Sequence, residues 1–266
     1  MYSKQEHELP MSMRAHLSII TLRRTPQRLK WFLKCNAKTL ENWNVHVIEG
    51  IDGVVHKNLF HQSRLVSNKV LERWSAGAIG SALSHMKSWR KCIQIGRPMI
   101  IVEDDTILAT ELKEKLETLL QAKSQDPSFL LLGWNMDSLL QAEILAGLGL
   151  ISLFEPAYPH EAEIKGMINC TTDRRICRLK RCFGLPAYRI TPSTAKNLLR
   201  QLNPLLSEPI IMGRGIPTHY SETLDGALNN QYEKIGAEIV FPPLALALNN
   251  QSESLTRKSK PQNFEN

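Results

Sequence analysis

Residues 77–105 read Gly-Ala-Ile-Gly-Ser-Ala-Leu-Ser-His-Met-Lys-Ser-Trp-Arg-Lys-Cys-Ile-Gln-Ile-Gly-Arg-Pro-Met-Ile-Ile-Val-Glu-Asp-Asp. In the first part Ile79, Leu83, Met86, Arg90 and Ile93 recur at steps of three and four, with Ala82 and Trp89 beside them. That period predicts an amphipathic helix over residues 78–95, with Ser81, Ser84, His85 and Ser88 on a separate polar face. Gly96-Arg97-Pro98 ends it. Residues 99–102 are short, apolar and partly β-branched, the pattern of a buried strand, and they run straight into Glu103-Asp104-Asp105. A helix feeding a buried strand that ends in carboxylates points to an α/β protein, whose ligands bind beyond the carboxyl ends of the strands.

The flanking sequence extends the same alternation. Residues 16–22 are predicted as a strand, 23–27 as a turn, 28–38 as a short helix and 45–49 as a second strand, followed by a turn at 50–53. Leu112, Leu116 and Leu119 mark another helix, and 129–132 a further strand. Residues 133–182, Gly-punctuated and then strongly basic, are expected to be an irregular insertion. A strand is predicted over 183–190. Thr191-Pro192 then supplies an N-cap and first-turn proline for a helix carrying Ala195, Leu198, Leu199 and Leu202. Residues 204–217 read as loop, Ser221 as the cap of a short helix bearing Leu224, Asp225 and Leu228, and 238–241 as a late strand. One domain is expected over 14–254, with flexible tails at 1–13 and 255–266.

Composition narrows the class. Of 266 residues 42% are hydrophobic and 22% charged, which suits a globular chain and excludes a disordered one. No run approaches the ~18 apolar residues of a membrane span, and residues 1–14 have no apolar signal-peptide core, so a cytoplasmic protein is expected. The formal charge of +7 favours polyanionic partners. Its densest source is Arg174, Arg175, Arg178, Lys180 and Arg181. That run suits a solvated face, an acidic acceptor or an anionic membrane surface; without interleaved aromatics it argues against nucleic acid. Cys170, Cys177 and Cys182 lack the paired spacing of a structural zinc site, for which His160 would be the fourth ligand, and the five cysteines are expected as mostly free thiols, a disulfide requiring an oxidising compartment.

Three adjacent carboxylates at a buried strand end repel one another and call for a cation. A hard divalent ion, Mg²⁺ or Mn²⁺, takes such oxygen ligands and also grips phosphate oxygens; a solvated acidic loop at a helix start is the plainer reading. The surrounding residues add to this. Gly77 to His85, then Trp89, then the strand ending in Glu103-Asp104-Asp105, resemble glycosyltransferase family 25, which includes bacterial lipooligosaccharide galactosyltransferases and the collagen galactosyltransferases. Residues 19–28 resemble the family's first strand, with Arg28 at its typical Arg. Ala187-Tyr188-Arg189-Ile190-Thr191, with Ala195 and Leu198-Leu199, resembles its second signature. Leu224-Asp225 resembles a later Asp-bearing segment, and residues 242–254 the domain end. Ser81 stands where many members have Cys, and 133–182 has no counterpart.

The resemblance implies a GT-A-like, Rossmann-related mixed sheet flanked by helices. It also implies transfer of a hexose, galactose first among them, from a UDP-sugar to a saccharide acceptor such as lipopolysaccharide, with inversion. Glu103 and Asp105 would match the first and third positions of a DxD motif. Asp105 is then the metal ligand with Glu103 beside it, and Thr21, Arg28, Ser84, His85, Glu103 and Asp104 are expected at the donor. Glu103 would act through water or the nucleotide ribose. An inverting displacement needs a base for the acceptor hydroxyl; Asp225 is the candidate, Glu222 the second and Asp137 a third, against the plain reading of Asp225 as a first-turn helix carboxylate. His85 is either a donor contact or a buried histidine fixing its surroundings. Competing readings are a non-catalytic sugar-nucleotide or glycan-binding homologue and another Mg²⁺-dependent phosphotransfer enzyme.

Overall fold

A computed structural model describes residues 15–154, 158–213 and 215–249. In chain order the first elements are β1 (Ala15–Thr21), α1 (Pro26–Cys35), α2 (Ala37–Leu40), β2 (Trp43–Glu49), α3 (Lys57–Phe60), α4 (Asn68–Arg73) and α5 (Ala76–Ile95). Next come β3 (Met99–Glu103), β4 (Thr106–Leu108), α6 (Leu112–Gln121), β5 (Phe129–Gly133), β6 (Leu139–Leu145), β7 (Leu148–Leu153), α7 (Glu161–Ile168) and β8 (Arg175–Cys182). The rest are β9 (Ala187–Ile190), α8 (Pro192–Gln201), β10 (Pro209–Ile210), β11 (His219–Tyr220), α9 (Leu224–Leu228), β12 (Glu238–Phe241) and β13 (Ala245–Ala247).

Nine strands form one mixed sheet in the order β2-β1-β3-β9-β5-β12-β8-β6-β7. β2, β1 and β3 are mutually parallel, and β9 lies antiparallel between β3 and β5. Successive residues of the central strands face opposite layers. Met99 and Ile101 of β3, with Phe129 and Leu131 of β5, pack among Trp89, Tyr188 and Leu198. Ile100, Val102, Leu130 and Leu132 pack on the other side with Phe32, Leu112 and Ile164. Both faces are therefore covered by helices, which is why these strands read as unbroken apolar runs rather than alternating ones. The fold is the expected α/β class, a mixed sheet flanked by helices.

Helix α5 shows how sequence sets position. The Ser75 hydroxyl accepts from Ala78 N–H at 3.0 Å, and Gly96, at φ 71°, closes the other end by donating to the Cys92 and Ile93 carbonyls. Gly80 permits a close approach: a Cβ there would lie 2.4 Å from the Ile51 carbonyl oxygen and 2.6 Å from Gly53 N. The loop after β2 is thereby pressed onto the helix.

Four expectations need correction. Residues 133–182 are not irregular: β6, β7 and β8 extend the main sheet and α7 packs on it. β6 pairs with β7 and β8, the latter's partners lying up to 42 residues away, so local composition concealed them. The polar side of α5 is not solvent-facing, since Ser84, His85 and Ser88 are buried; the helix packs against the sheet and α8, and these polar atoms are bonded internally. Thr223, not Ser221, caps α9, accepting from Gly226 N–H, whereas Ser221 Oγ accepts from Glu208 N–H. The strand expected over 183–190 is confined to Ala187–Ile190, because Gly184 turns the chain at φ 87°. The expected tails, 1–13 and 255–266, lie outside the described residues.

Candidate active-site cleft

From β1 the sheet grows in both directions, to β2 on one side and β3 on the other. The carboxyl ends of β1 and β3 flank that switch point, where open α/β sheets place their ligands. A cleft of about 820 Å³ opens there, a size suited to a small-molecule site. Thr21, Arg28, Ser84, His85, Glu103, Asp104, Asp105, Asp137, Glu222 and Asp225 all line it. Residues read from segments up to 204 positions apart thus meet in one place. Arg24 lines it too, in an ion pair with Asp52; Arg23 does not.

The acidic tip is internally braced. Asp104, 5% exposed, accepts the Thr21 hydroxyl on Oδ2 at 2.7 Å and Arg28 on Oδ1 at 2.7 Å. Arg28 also reaches Asp105 Oδ2 at 2.9 Å. Both oxygens of Asp104 are therefore engaged, and it serves as the anchor of Arg28. Burial raises the Asp104 pKa against the pull of Arg28 and the Thr21 bond. Burial also lowers that of Arg28, but the charges of Asp105, Asp104 and Glu103 outweigh it and raise the pKa overall. Asp105 is pushed up to about 7, first by desolvation and then by the charge of Glu103. Its Oδ1 is buried without a hydrogen-bond partner, as is Arg28 Nε.

Ser84 and His85 are committed inward. Ser84 Oγ accepts from Ile51 N–H and donates to the Gly80 carbonyl, both at 2.7 Å. His85 contacts the Tyr188 hydroxyl through Nδ1 at 3.0 Å and Glu103 Oε1 through Nε2 at 3.2 Å. On the opposing side, Asp225 sits in the first turn of α9 and its Oδ2 accepts Gly184 N–H at 2.6 Å. Asp137 Oδ2 accepts from Asn249 Nδ2 at 3.0 Å, with Asn249 at φ 44°.

The chemistry of the tip fits a hard divalent cation: the unpartnered Asp105 Oδ1 is a carboxylate oxygen facing no donor. Among the described residues no group of three or more His, Cys, Asp or Glu side chains is arranged to hold an ion. One or two carboxylates fit an ion whose other positions are taken by substrate phosphate and water. The five cysteines are free thiols.

Sequence reasoning overlooked several lining residues. Asp52 accepts from Val54 N–H at 3.0 Å and shapes the loop after β2; its Asp-Gly dipeptide was the available signal. Arg73, whose guanidinium lies 3.9 Å from the Tyr220 ring centroid, and Asn135 and Asn249 carry no local signal.

The chain belongs to glycosyltransferase family 25: the family's model, described as an LPS biosynthesis protein, matches residues 15–210. Asp225 and Glu222 lie beyond that match. A search of curated proteins finds no match. Among solved structures, the chain is similar to the glycosyltransferase GlyE of Streptococcus pneumoniae TIGR4. The apo form is 9% identical and a second structure 8%, each with TM-score 0.42 over 90% of this chain and 55% of that one. The chain thus spans about 55% of the length of those relatives. The inositol-1-phosphate CTP transferase of T. maritima is 12% identical, with TM-score 0.40 over 94% of this chain and 97% of that one. Among the described residues no helix is long and apolar enough to cross a membrane.

Proposed function

We propose that the protein is a GT-A-like inverting glycosyltransferase. It moves a hexose, galactose first among the candidates, from a UDP-sugar to a saccharide acceptor such as a growing lipopolysaccharide. One observation carries the reading: in a chain of this family, the Glu103-Asp104-Asp105 tip with Arg28, and the Asp225 carboxylate, line a single cleft at the sheet's switch point.

In the displacement, the acceptor oxygen bonds to the anomeric carbon as the bond from that carbon to the diphosphate oxygen breaks, and UDP departs. The acceptor proton becomes acidic as the new bond forms, so a carboxylate suffices to take it. Asp225 takes that role, held at Oδ2 by Gly184 N–H, with Glu222 the alternative. Arg28, fixed by Asp104, presents its positive charge beside the tip. Asp105, with Glu103, would hold a divalent ion; when bound, that ion supplies charge stabilisation for the departing diphosphate. Thr21 acts through Asp104 and Ser84 through the 50–53 loop, so both shape the donor site rather than contact the reacting atoms.

The test is UDP release from a panel of UDP-sugars with a lipopolysaccharide acceptor and Mn²⁺. Asp105→Ala is expected to lower turnover by about 10²-fold or more, and Asp225→Asn to do the same with donor binding retained. Mn²⁺-dependent thermal stabilisation by UDP provides a binding readout. Turnover indifferent to both chelator and Asp105→Ala removes the metal from the reading and leaves Arg28 as the cation of the tip. Release of inorganic phosphate without sugar transfer favours a phosphotransfer enzyme, and binding without turnover a glycan-binding homologue.

A further inference from the structure

Two fully buried residues of the motif blocks, Trp89 and Tyr188, have no task in the reading above. Trp89 lies four residues after His85 on α5, so both project from one side of the helix. Tyr188 comes from β9, the strand beside β3, and its ring stacks on Phe129 at 5.0 Å between centroids.

Their polar atoms form a sequence with one permitted direction. Trp89 Nε1–H donates to the Tyr188 hydroxyl oxygen at 2.8 Å; an indole nitrogen can only donate. The phenol must then send its own proton elsewhere, and its other partner is His85 Nδ1 at 3.0 Å. That nitrogen therefore accepts, and the ring proton resides on Nε2, which faces Glu103 Oε1 at 3.2 Å. The reverse direction would bury a phenol proton with no acceptor, which folded proteins avoid.

We infer that Trp89, Tyr188 and His85 form a one-way hydrogen-bond relay that fixes the His85 tautomer and thereby aims the Glu103 carboxylate into the cleft. Tyr188 and His85 are positioning residues: they reach the reaction through Glu103. What Glu103 then does rests on the glycosyltransferase reading; the direction of the relay does not. The spacing His85-x-x-x-Trp89 and the distant Tyr188 acquire a joint physical purpose, since two of the three relay members come from one helix turn and the third from the strand next to the acidic tip.

Two measurements test this. Long-range ¹H–¹⁵N correlation spectra of histidine-labelled protein, with His85 assigned by loss of its signals in His85→Gln, should show Nδ1 unprotonated and Nε2 protonated. A proton on Nδ1 of the wild type overturns the inference, whether or not any sugar is transferred. In the kinetic arm, Tyr188→Phe is expected to lower kcat roughly ten- to hundredfold with the acceptor KM unchanged. His85→Gln, which retains an N–H for Glu103, should recover activity relative to His85→Leu. Unchanged kcat in Tyr188→Phe, or equal losses in the two His85 variants, overturns the positioning role. If Tyr188→Phe fails to fold, the comparison of His85→Gln with His85→Leu and the wild-type spectrum still decide the inference, by the same outcomes. A wild type inactive with every donor sinks the proposed function but leaves the spectrum to decide the relay.

Discussion

Arg28 is the residue on which the acidic tip depends. It is the cation that Asp104 and Asp105 share, at 2.7 and 2.9 Å, and its side chain is only 20% exposed. Removing one partner of such a buried pair leaves the other charge uncompensated, at a cost of about 3–5 kcal/mol. Arg28→Gln should therefore lower the urea midpoint by a corresponding amount, whereas a loss under 1 kcal/mol would mean the tip is solvated. The thiols give a second residue-scale prediction. Burial pushes Cys92 up to about 11 and Cys182 well above the ordinary thiol range. The folded protein thus holds these protons more tightly than the unfolded chain. Stability from Cys92 is complete below the unfolded thiol pKa and is lost as pH rises from there towards 11. Iodoacetamide at pH 8 should leave Cys92 and Cys182 unmodified until denaturant is added; rapid labelling of either in the folded protein contradicts their burial. The identity of the acidic tip was legible in sequence, because a β-branched run ending in three carboxylates is a local pattern. That Arg28 is its counter-ion was not, since 75 residues separate Arg28 from Glu103 and only the sheet brings β1 and β3 together.

At the scale of elements, two close approaches and one histidine pair set the limits of the fold. Gly80 and Gly53 let the 50–53 loop lie on α5, where Ser84 also holds it. Gly80→Ala would force backbone apart, an overpacking expected to cost about 1–3 kcal/mol, read as a lower melting temperature and weaker donor binding. Unchanged melting would show that the loop moves freely. Near the start of β1 and midway along β2, His16 Nδ1 and His46 Nε2 lie 3.0 Å apart with rings stacked. Burial lowers both pKa values, with Arg97 and Lys91 acting on His16, and His16 and Lys91 on His46. The unfolded chain therefore binds these protons more readily. Stability should fall as pH drops through 6.5 towards the lower folded values. Melting curves between pH 8 and 5.5 should be flatter for His46→Gln than for the wild type, and parallel curves would remove the pair as a cause. The helix starting at Thr191-Pro192 was legible because capping chemistry is local: the Thr191 hydroxyl accepts Thr194 N–H as the dipeptide implied. β6, β7 and β8 were not, because their side chains answer to partners across the sheet rather than to neighbours in the chain.

Over the whole molecule, the sheet has two unlike edges. β7 ends it with Leu148, Leu150 and Leu153 each about half exposed or more, and no charge within the strand. An uncharged, apolar edge favours association through unpaired backbone groups. Leu150→Lys should therefore raise the concentration at which light scattering first reports oligomers; an unaltered threshold would mean the edge is already shielded. The basic run lies mainly on β8, where Arg181 is paired with Glu233 and Lys180 with Glu143, while Arg175 and Arg178 are exposed. The α/β class was readable from the alternation of strands and helices; the order of nine strands was not, because it is fixed by pairings between segments far apart in sequence.

β9 is an inner strand of the sheet, fourth of nine, yet comes from residues 187–190. During synthesis, β3 must therefore wait some 84 residues after its own carboxyl end leaves the ribosome before its second flank is satisfied. Until then one long side of the nascent three-stranded half is bare, and the phenol that completes the His85 relay has not yet been made. The chain can acquire its strand-end carboxylates early, but their final alignment waits until β9 has emerged, which makes that interval the one in which a chaperone would have most to cover.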